Sequence, residues 1–396
     1  MKKQAEFDEL MKKAESGDAE AQFKLGVIYN TGDGVVQDCV KAFEWCQKSA
    51  KQGNVDAQFM LGVMYCFDQA GEPDYEKGRE WIAKSAAQGS VKAQNFMGLA
   101  YYSNGRLEQN DKEAFEWYGK SAEQGNANAQ YMLGRMYYYG HGVEQSYEQA
   151  FEWHKKSAEQ GNANAQYVLG LMYYYGQGVE QSYKQAFEWY KKNAEQGDAS
   201  AQYVLGLMYY YGQGVEQNYK KAFEWYKKSA EKENVDAQLS LGMMYRNGIG
   251  VEQDDKEALV WETKANASKG DAAAQSALGC MYYYGHGVKQ NYKKAFEWFK
   301  KSAEQGFVHS QTLSGLMYYH GIGIRSNKRK AFEMFEKSAK QENDEACFML
   351  GEMYYYGDVV EQNYEKAFEF YEKSAALGNV KAIKKLKTLK KRGAKK

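Results

Sequence analysis

An all-α, right-handed α-solenoid of ten helix-turn-helix repeats is the fold this sequence predicts, and three observations predict it. A glycine recurs at Gly26, Gly62, Gly98, Gly134, Gly170, Gly206, Gly242, Gly279, Gly315 and Gly351, at intervals of 36 residues with one of 37. Tryptophan keeps the same ruler at Trp45, Trp81, Trp117, Trp153, Trp189, Trp225, Trp261 and Trp298, with Met334 and Phe370 in its place in the last two units. One proline, Pro73, stands beside 35 tyrosines in 396 residues, a composition suited to helices with little loop. A fixed period in the range of roughly 20–50 residues is the mark of a stacked repeat architecture.

The elements follow in order. Residues 1–17 form an N-terminal cap, in which "EFDELMKKAESG" (6–17) aligns with the second helix of a repeat that lacks its first. Repeats start near 18, 54, 90, 126, 162, 198, 234, 271, 307 and 343 and fill 18–378. In 162–197, the fifth repeat, Asn162 caps a first helix and Gly176 suits its left-handed exit. "QGVEQ" makes the turn, Ser182 caps the second helix with Gln185 three residues on, and Gly197 ends it. Neither helix is long enough to be stable alone in water, so each must bury a face against neighbours, and stacking the hairpins does so. Repeats 2, 3 and 7 depart locally, with "FDQAGEPDYEKG" (67–78), "NGRLEQN" (104–110) and one extra residue near "KANASKGD", which are expected to reshape the array without ending it. Residues 379–396 make a basic C-terminal capping helix and tail, with Ile383, Leu386 and Leu389 on one side and nine Lys and Arg from 381 onward as a solvated face.

The unit "A-x-A-Q-Y-x-L-G-x-M-Y-x-x-G-x-G-V" followed by "Y-x-x-A-F-E-W-Y-x-K-S-A-E-x-G" resembles the Sel1-like repeat family, a relative of the tetratricopeptide repeats, and covers about nine-tenths of the chain. The resemblance implies a superhelix of antiparallel helix pairs that serves as a protein–protein interaction scaffold. By it, Ala165, Leu169 and Tyr173 on the first helix of repeat 5 are packing positions beside the small Gly170, and Tyr173 is expected in the core with its hydroxyl on a polar partner.

A second stripe, Tyr167, Leu171 and Tyr174, runs beside the first and with Tyr175 makes the helix apolar on more sides than hairpin packing requires. The same resemblance places these residues and Asn164 on a concave surface. The expected partner-binding face comprises Asn128, Tyr131, Arg135, Tyr138, Asn164, Tyr167, Leu171, Tyr174, Tyr175, Tyr203, Leu207, Tyr210, Arg246, Tyr283, Tyr319 and Tyr355. One row changes character along the chain, from Tyr131, Tyr167 and Tyr203 to Leu239, Ser276 and Thr312, as a groove with distinct subsites would. Tyrosine offers contact area, a hydroxyl and little rotamer entropy to lose. Two alternatives stay open: the inner rings pack on the next repeat instead, and the near-identity of repeats 4–6 reflects a recent duplication as readily as a periodic ligand.

Composition narrows the function. Fifty-two basic and 52 acidic residues balance, giving no reason to expect nucleic acid or an anionic membrane as partner. No apolar run is long enough to span a bilayer and the start of the chain is charged, so a cytoplasmic chain is expected. Cys39, Cys46, Cys66, Cys280 and Cys347 are odd in number and without fixed interval, unlike a disulfide framework. His141 and His286 share a Gly-His-Gly loop slot four repeats apart and are read as solvated variants of Gln177 and Gln213, while His154 is a packed variant of Tyr190. The G-x-G-V loops lack the strand and the lysine-serine of a phosphate cradle. Lys191, Lys192, Glu195 and Gln196 read as a solvated outer face. The expectation is a monomeric, non-enzymatic adaptor for a peptide or helix of a protein partner, with no catalytic residues, no metal and no cofactor. The alternatives are a bacterial immunity or effector-handling protein, and a β-lactamase-like hydrolase as in cysteine-rich Sel1-like proteins; the latter carry a cysteine pair in each repeat, whereas here only Cys39 and Cys46 lie close.

Overall fold

The helix caps written into the sequence form in most repeats, the first helix of repeat 9 starting after Phe307 without one. In a computed structural model, which describes residues 2–67, 72–103 and 109–393, the first helix of repeat 5 spans Ala163–Tyr175 and the second Tyr183–Glu195. Asn162 Oδ1 accepts the Ala165 N–H at 3.0 Å, and Ser182 Oγ accepts that of Gln185 at 3.3 Å. Gly176 leaves the first helix at φ 70° with its N–H on the Met172 carbonyl. Twenty-two helices and no strand are found among the described residues. The departures at 67–78 and 104–110 fall partly on 68–71 and 104–108, outside the described residues, as does the end of the basic tail.

The helix pairs close on small and apolar side chains. In repeat 5, Ala165, Leu169 and Met172 of the first helix meet Ala186, Tyr190 and Ala194 of the second, all buried. Tyr190 is the large side chain there, and Gly170 is its cradle: a Cβ at that glycine would lie 2.8 Å from the ring's Cε1. The expectation for Tyr173 is therefore corrected. At about 100° per residue, Met172 returns to within ~20° of Ala165 whereas Tyr173 stands ~80° away. Tyr173 is accordingly half-buried, edge-on to Phe151 of the preceding repeat at 5.3 Å.

Polar side chains stitch the pairs together. Ser157 Oγ donates to the Ala127 carbonyl at 2.6 Å across the hairpin of repeat 4, and in repeat 5 Asn193 makes the same link to Ala163. Gln160 Nε2 donates to Gln130 Oε1 at 2.7 Å, and Gln130 Nε2 to the Ala122 carbonyl of the preceding repeat at 3.1 Å. Gln196 makes the equivalent bond to Gln166 at 3.0 Å, so this residue, read from sequence as part of a solvated face, is a structural strut. Lys192 is likewise engaged, its ammonium 4.1 Å from the centre of the Trp189 ring. In repeats 4, 5, 7, 8 and 9 the second loop glycine seats the turn on the repeat before it. Gly178 has φ +69°, and a Cβ there would come within 2.1 Å of the Tyr147 carbonyl oxygen.

The chain forms two compact units, Met1–Gln196 and Gly197–Lys396. The first opens with the helix Lys2–Glu15, whose Ala14 is buried and whose Ala14 carbonyl takes a bond from Gln22 Nε2 at 3.0 Å. The second contains the irregular repeat 7. Its second helix, Asp255–Ser268, is one residue longer than its neighbours Tyr219–Glu231 and Tyr292–Glu304. Trp261 is buried against Ala230, Ala237 and Leu241, its indole N–H without a hydrogen-bond partner among the described residues. The next residue, Glu262, replaces the buried Tyr226 or Phe299 of adjacent repeats and pairs with Arg246. The second unit ends with the helix Val380–Gly393. Its basic face is only partly solvated, because Lys381 and Lys385 are fixed to Glu345 and Glu352 at 2.8 and 2.7 Å.

Candidate protein-binding face

The sixteen residues anticipated from sequence all lie on first helices, but they divide into three environments. Asn128 and Asn164 are exposed in the first turn. Tyr131 and Tyr167 are half-buried, their rings 5.5 Å from those of His154 and Tyr190; Tyr203 sits 5.7 Å from Tyr226 in the same way. Arg135, Leu171 and Leu207 are half-buried beside them, with the Arg135 guanidinium 5.9 Å from the Tyr131 ring centre. The next row, Tyr138, Tyr174, Tyr210, Tyr283, Tyr319 and Tyr355, is also half-buried. Arg246 occupies that row in repeat 7, exposed, with both guanidinium contacts on Glu262 at 3.0 and 2.6 Å. Tyr175 stands furthest out, 63% exposed.

One row is spent partly on stacking. The Tyr138 hydroxyl donates to Gln177 Oε1 at 2.8 Å, the Tyr319 hydroxyl to Asp358 at 2.7 Å, and Tyr102 Oη lies 3.2 Å from His141 Nδ1. His141 is thus no solvated variant: it takes the preceding repeat's tyrosine and stacks on Tyr139 at 5.7 Å. The loop slot after the first glycine is thus a stacking position that was not anticipated from sequence. The signal was present, since slot and tyrosine are separated by 39 residues, one period plus three, in each case. Nor does the changing row stay open throughout. Ser276 and Thr312 are buried, and Thr312 Oγ1 bonds Ser338 Oγ at 2.7 Å, so they line no groove.

What remains exposed is a repeated cluster of three rings. Tyr174 holds Tyr175 edge-on at 5.0 Å and Tyr183, the first residue of the second helix, also at 5.0 Å. Tyr138 does the same with Tyr139 and Tyr147, at 4.9 and 5.1 Å. In the second unit the clusters are Tyr210–Tyr211–Tyr219, Tyr283–Tyr284–Tyr292 and Tyr355–Tyr356–Tyr364. Gln181 Nε2 donates to both the Tyr174 carbonyl and the Tyr183 hydroxyl, fixing the turn that presents them; Gln145, Gln217 and Gln290 repeat this. The outer ring of each cluster, Tyr139, Tyr175, Tyr211, Tyr284 and Tyr356, is 56–63% exposed.

Three phenols of this face are held in the neutral form by their surroundings. Burial pushes the Tyr203 and Tyr283 hydroxyls upward, and burial with the Asp358 hydrogen bond carries Tyr319 up to about 12. Aromatic rings of this kind present quadrupolar faces edged with hydroxyls. A cleft of about 790 Å³ opens in the second unit beside the buried Trp261, lined among others by Trp298, Lys264, Lys294, Glu231 and Glu297. Burial lowers the Lys264 pKa there. Among the described residues no group of three or more His, Cys, Asp or Glu could hold a metal ion, and no helix is long and apolar enough to cross a membrane.

Comparison with known proteins places this geometry. The Sel1 repeat model matches ten times, at residues 19–54, 55–90, 91–126, 127–162, 163–198, 199–234, 235–267, 272–307, 308–343 and 344–379. Among solved structures, the chain is similar to a protective antigen of uropathogenic Escherichia coli displaying an SLR fold, with 32% identity over 97% of this chain and 93% of the other and a TM-score of 0.56. It is similar also to a Sel1 repeat protein from Oxalobacter formigenes, with 32% identity over 78% and 90% of the two chains and a TM-score of 0.50. No curated protein matches the chain.

Proposed function

This chain belongs to the Sel1 repeat family, and from that premise we propose that it is a non-enzymatic scaffold that binds a peptide or helical segment of a protein partner on its tyrosine-rich concave face. The observation that carries the reading is the surplus of aromatic surface. The core is already closed by Tyr190-type rings, and the stacking by Tyr138-type hydroxyls, yet each cluster leaves its outer tyrosine more than half exposed. Natural interfaces favour tyrosine at their energetic centres. Neighbouring helices lie roughly 8–10 Å apart, so one repeat spans about three residues of an extended ligand.

The test is photo-cross-linking from defined positions. Benzoylphenylalanine in place of Tyr139 or Tyr175 should capture one partner through a single segment, and the same group in place of Lys155 or Lys191 on the second helices should capture none. Cross-links arising only from the second-helix positions overturn the assignment of the face.

A further inference from the structure

We propose that the tyrosine clusters are cation-accepting subsites, and that the segment they take is an extended basic one presenting an arginine about once per repeat. This rests on the reading of the face given above and adds the chemistry of its occupant. Where the chain itself supplies a cation, that cation is already on these rings. Lys385 of the last helix reaches back to repeat 10, its ammonium 4.6 Å from the centre of Tyr355 and 5.2 Å from that of Tyr356, with Glu352 at 2.7 Å. In repeat 9, Lys328 stands where Tyr183, Tyr219 and Tyr292 stand elsewhere, so a lysine replaces the third ring of the cluster. It lies 5.2 Å from the centre of Tyr319 and 2.7 Å from Asp358. Arg135, at the position of Leu171, sits over Tyr131 in the neighbouring row.

The clusters of repeats 4 and 5 in the first unit have the rings without such a lysine from their own second helix, since Tyr147 and Tyr183 hold the slot that Lys328 fills. They have no carboxylate at the Glu352 position, where Arg135 and Leu171 stand; exposed Glu144 and Glu180 follow the outer rings by five residues. A site made of ring faces, with acids only at its rim, suits guanidinium better than ammonium. Guanidinium is planar, more weakly hydrated and stacks on aromatic faces. One subsite per repeat sets the spacing at about three residues of extended chain.

The experiment uses the full-length chain and a fluorescein-labelled peptide with arginine at every third position among glycine and serine. Saturable anisotropy is expected, weakened about fivefold by Tyr139→Leu or Tyr175→Leu and retained by the Phe variants, which keep the ring face. Circular dichroism confirms that each variant remains folded. A peptide with citrulline for arginine, whose urea keeps the planar shape but loses the charge and carries an oxygen in place of one nitrogen, should bind at least tenfold more weakly. Equal binding of the citrulline peptide, indifference to the Leu variants, or no saturation at ~1 mM each overturns the inference. It also fails, while the binding face stands, if cross-linking from Tyr175 captures a partner segment that carries no basic residue.

Discussion

The Tyr138 hydroxyl donates to Gln177 Oε1 at 2.8 Å, joining the end of one first helix to the loop of the next repeat. Both residues are half-buried, so the bond is partly shielded from water while the ring is not sealed away. It divides the ring's labour: the hydroxyl holds the array together and the face supports Tyr139. Removing it by Tyr138→Phe or Gln177→Ala should cost roughly 0.5–1.5 kcal/mol each. Because both remove one interaction, the double variant should cost no more than about the larger single, as read by chemical denaturation. Additive losses would show the two residues acting separately.

Tyr190 and Tyr175 should behave oppositely. Tyr190 is fully buried under Gly170, and truncation to alanine leaves a cavity, with an expected cost of about 3–5 kcal/mol. Tyr175 loses mainly solvated surface, so Tyr175→Ala should stay within roughly 0.5 kcal/mol of the parent. Denaturation midpoints decide it. A large loss at Tyr175 would mean its ring serves the fold, and the binding face would shrink accordingly.

How much of this was legible in sequence depended on range. Caps, turns and the period were readable because they are local: Asn162, Ser182 and Gly176 each act within four residues of themselves. The face of a helix was harder. Tyr173 and Met172 are adjacent, and choosing between them needs a phase accurate to a fraction of a turn, which a repeated Tyr-Tyr-Tyr blurs. Pairings set by stacking were harder still. Nothing local marks Gln196 as the strut to Gln166 or Gln177 as the acceptor for Tyr138, although both recur at fixed offsets of 30 and 39 residues. The Arg246–Glu262 pair was hidden for another reason: both residues depart from the repeat pattern, standing where Tyr210 and Tyr226 stand in repeat 6, and only the closed hairpin brings the two positions together. The proposed binding face rests on the same periods, but its occupant is a matter of a molecule outside the chain.

Val359 has φ +71° at the loop position that sister repeats give to glycine. A β-branched residue in the left-handed region carries a cost of roughly 1–2 kcal/mol, against ~0.5–1 kcal/mol of chain entropy lost by introducing glycine. Val359→Gly should therefore stabilise the second unit by up to about 1 kcal/mol, in urea denaturation followed by circular dichroism. Glu233 and Glu342, with φ 66° and 59° where most repeats end in glycine, should respond in the same direction. Destabilisation by Val359→Gly would show that the valine side chain makes packing contacts worth more than its strain.

His154 should make the first unit sensitive to mild acid. Its imidazole fills the slot of Tyr190, fully buried over Gly134, and neither ring nitrogen has a hydrogen-bond partner among the described residues. Burial, helped by the nearby Arg135 charge, holds its pKa down to about 4, against 6.5 for the unfolded group. Between those values the unfolded chain binds the proton and the folded chain does not. The stabilising contribution of the neutral ring is therefore complete above pH 6.5 and is lost as the pH falls to 4, at about 1.4 kcal/mol per unit and roughly 3 kcal/mol in all. Carboxylates titrate over part of the same range, so the informative quantity is the difference between the parent and His154→Phe, which carries the ring that Phe299 supplies at the equivalent position. Denaturant unfolding from pH 7 to 4.5 should show the variant gaining steadily on the parent below pH 6.5. Parallel curves would mean that the imidazole is protonated inside the fold, and that a water or a carboxylate reaches it.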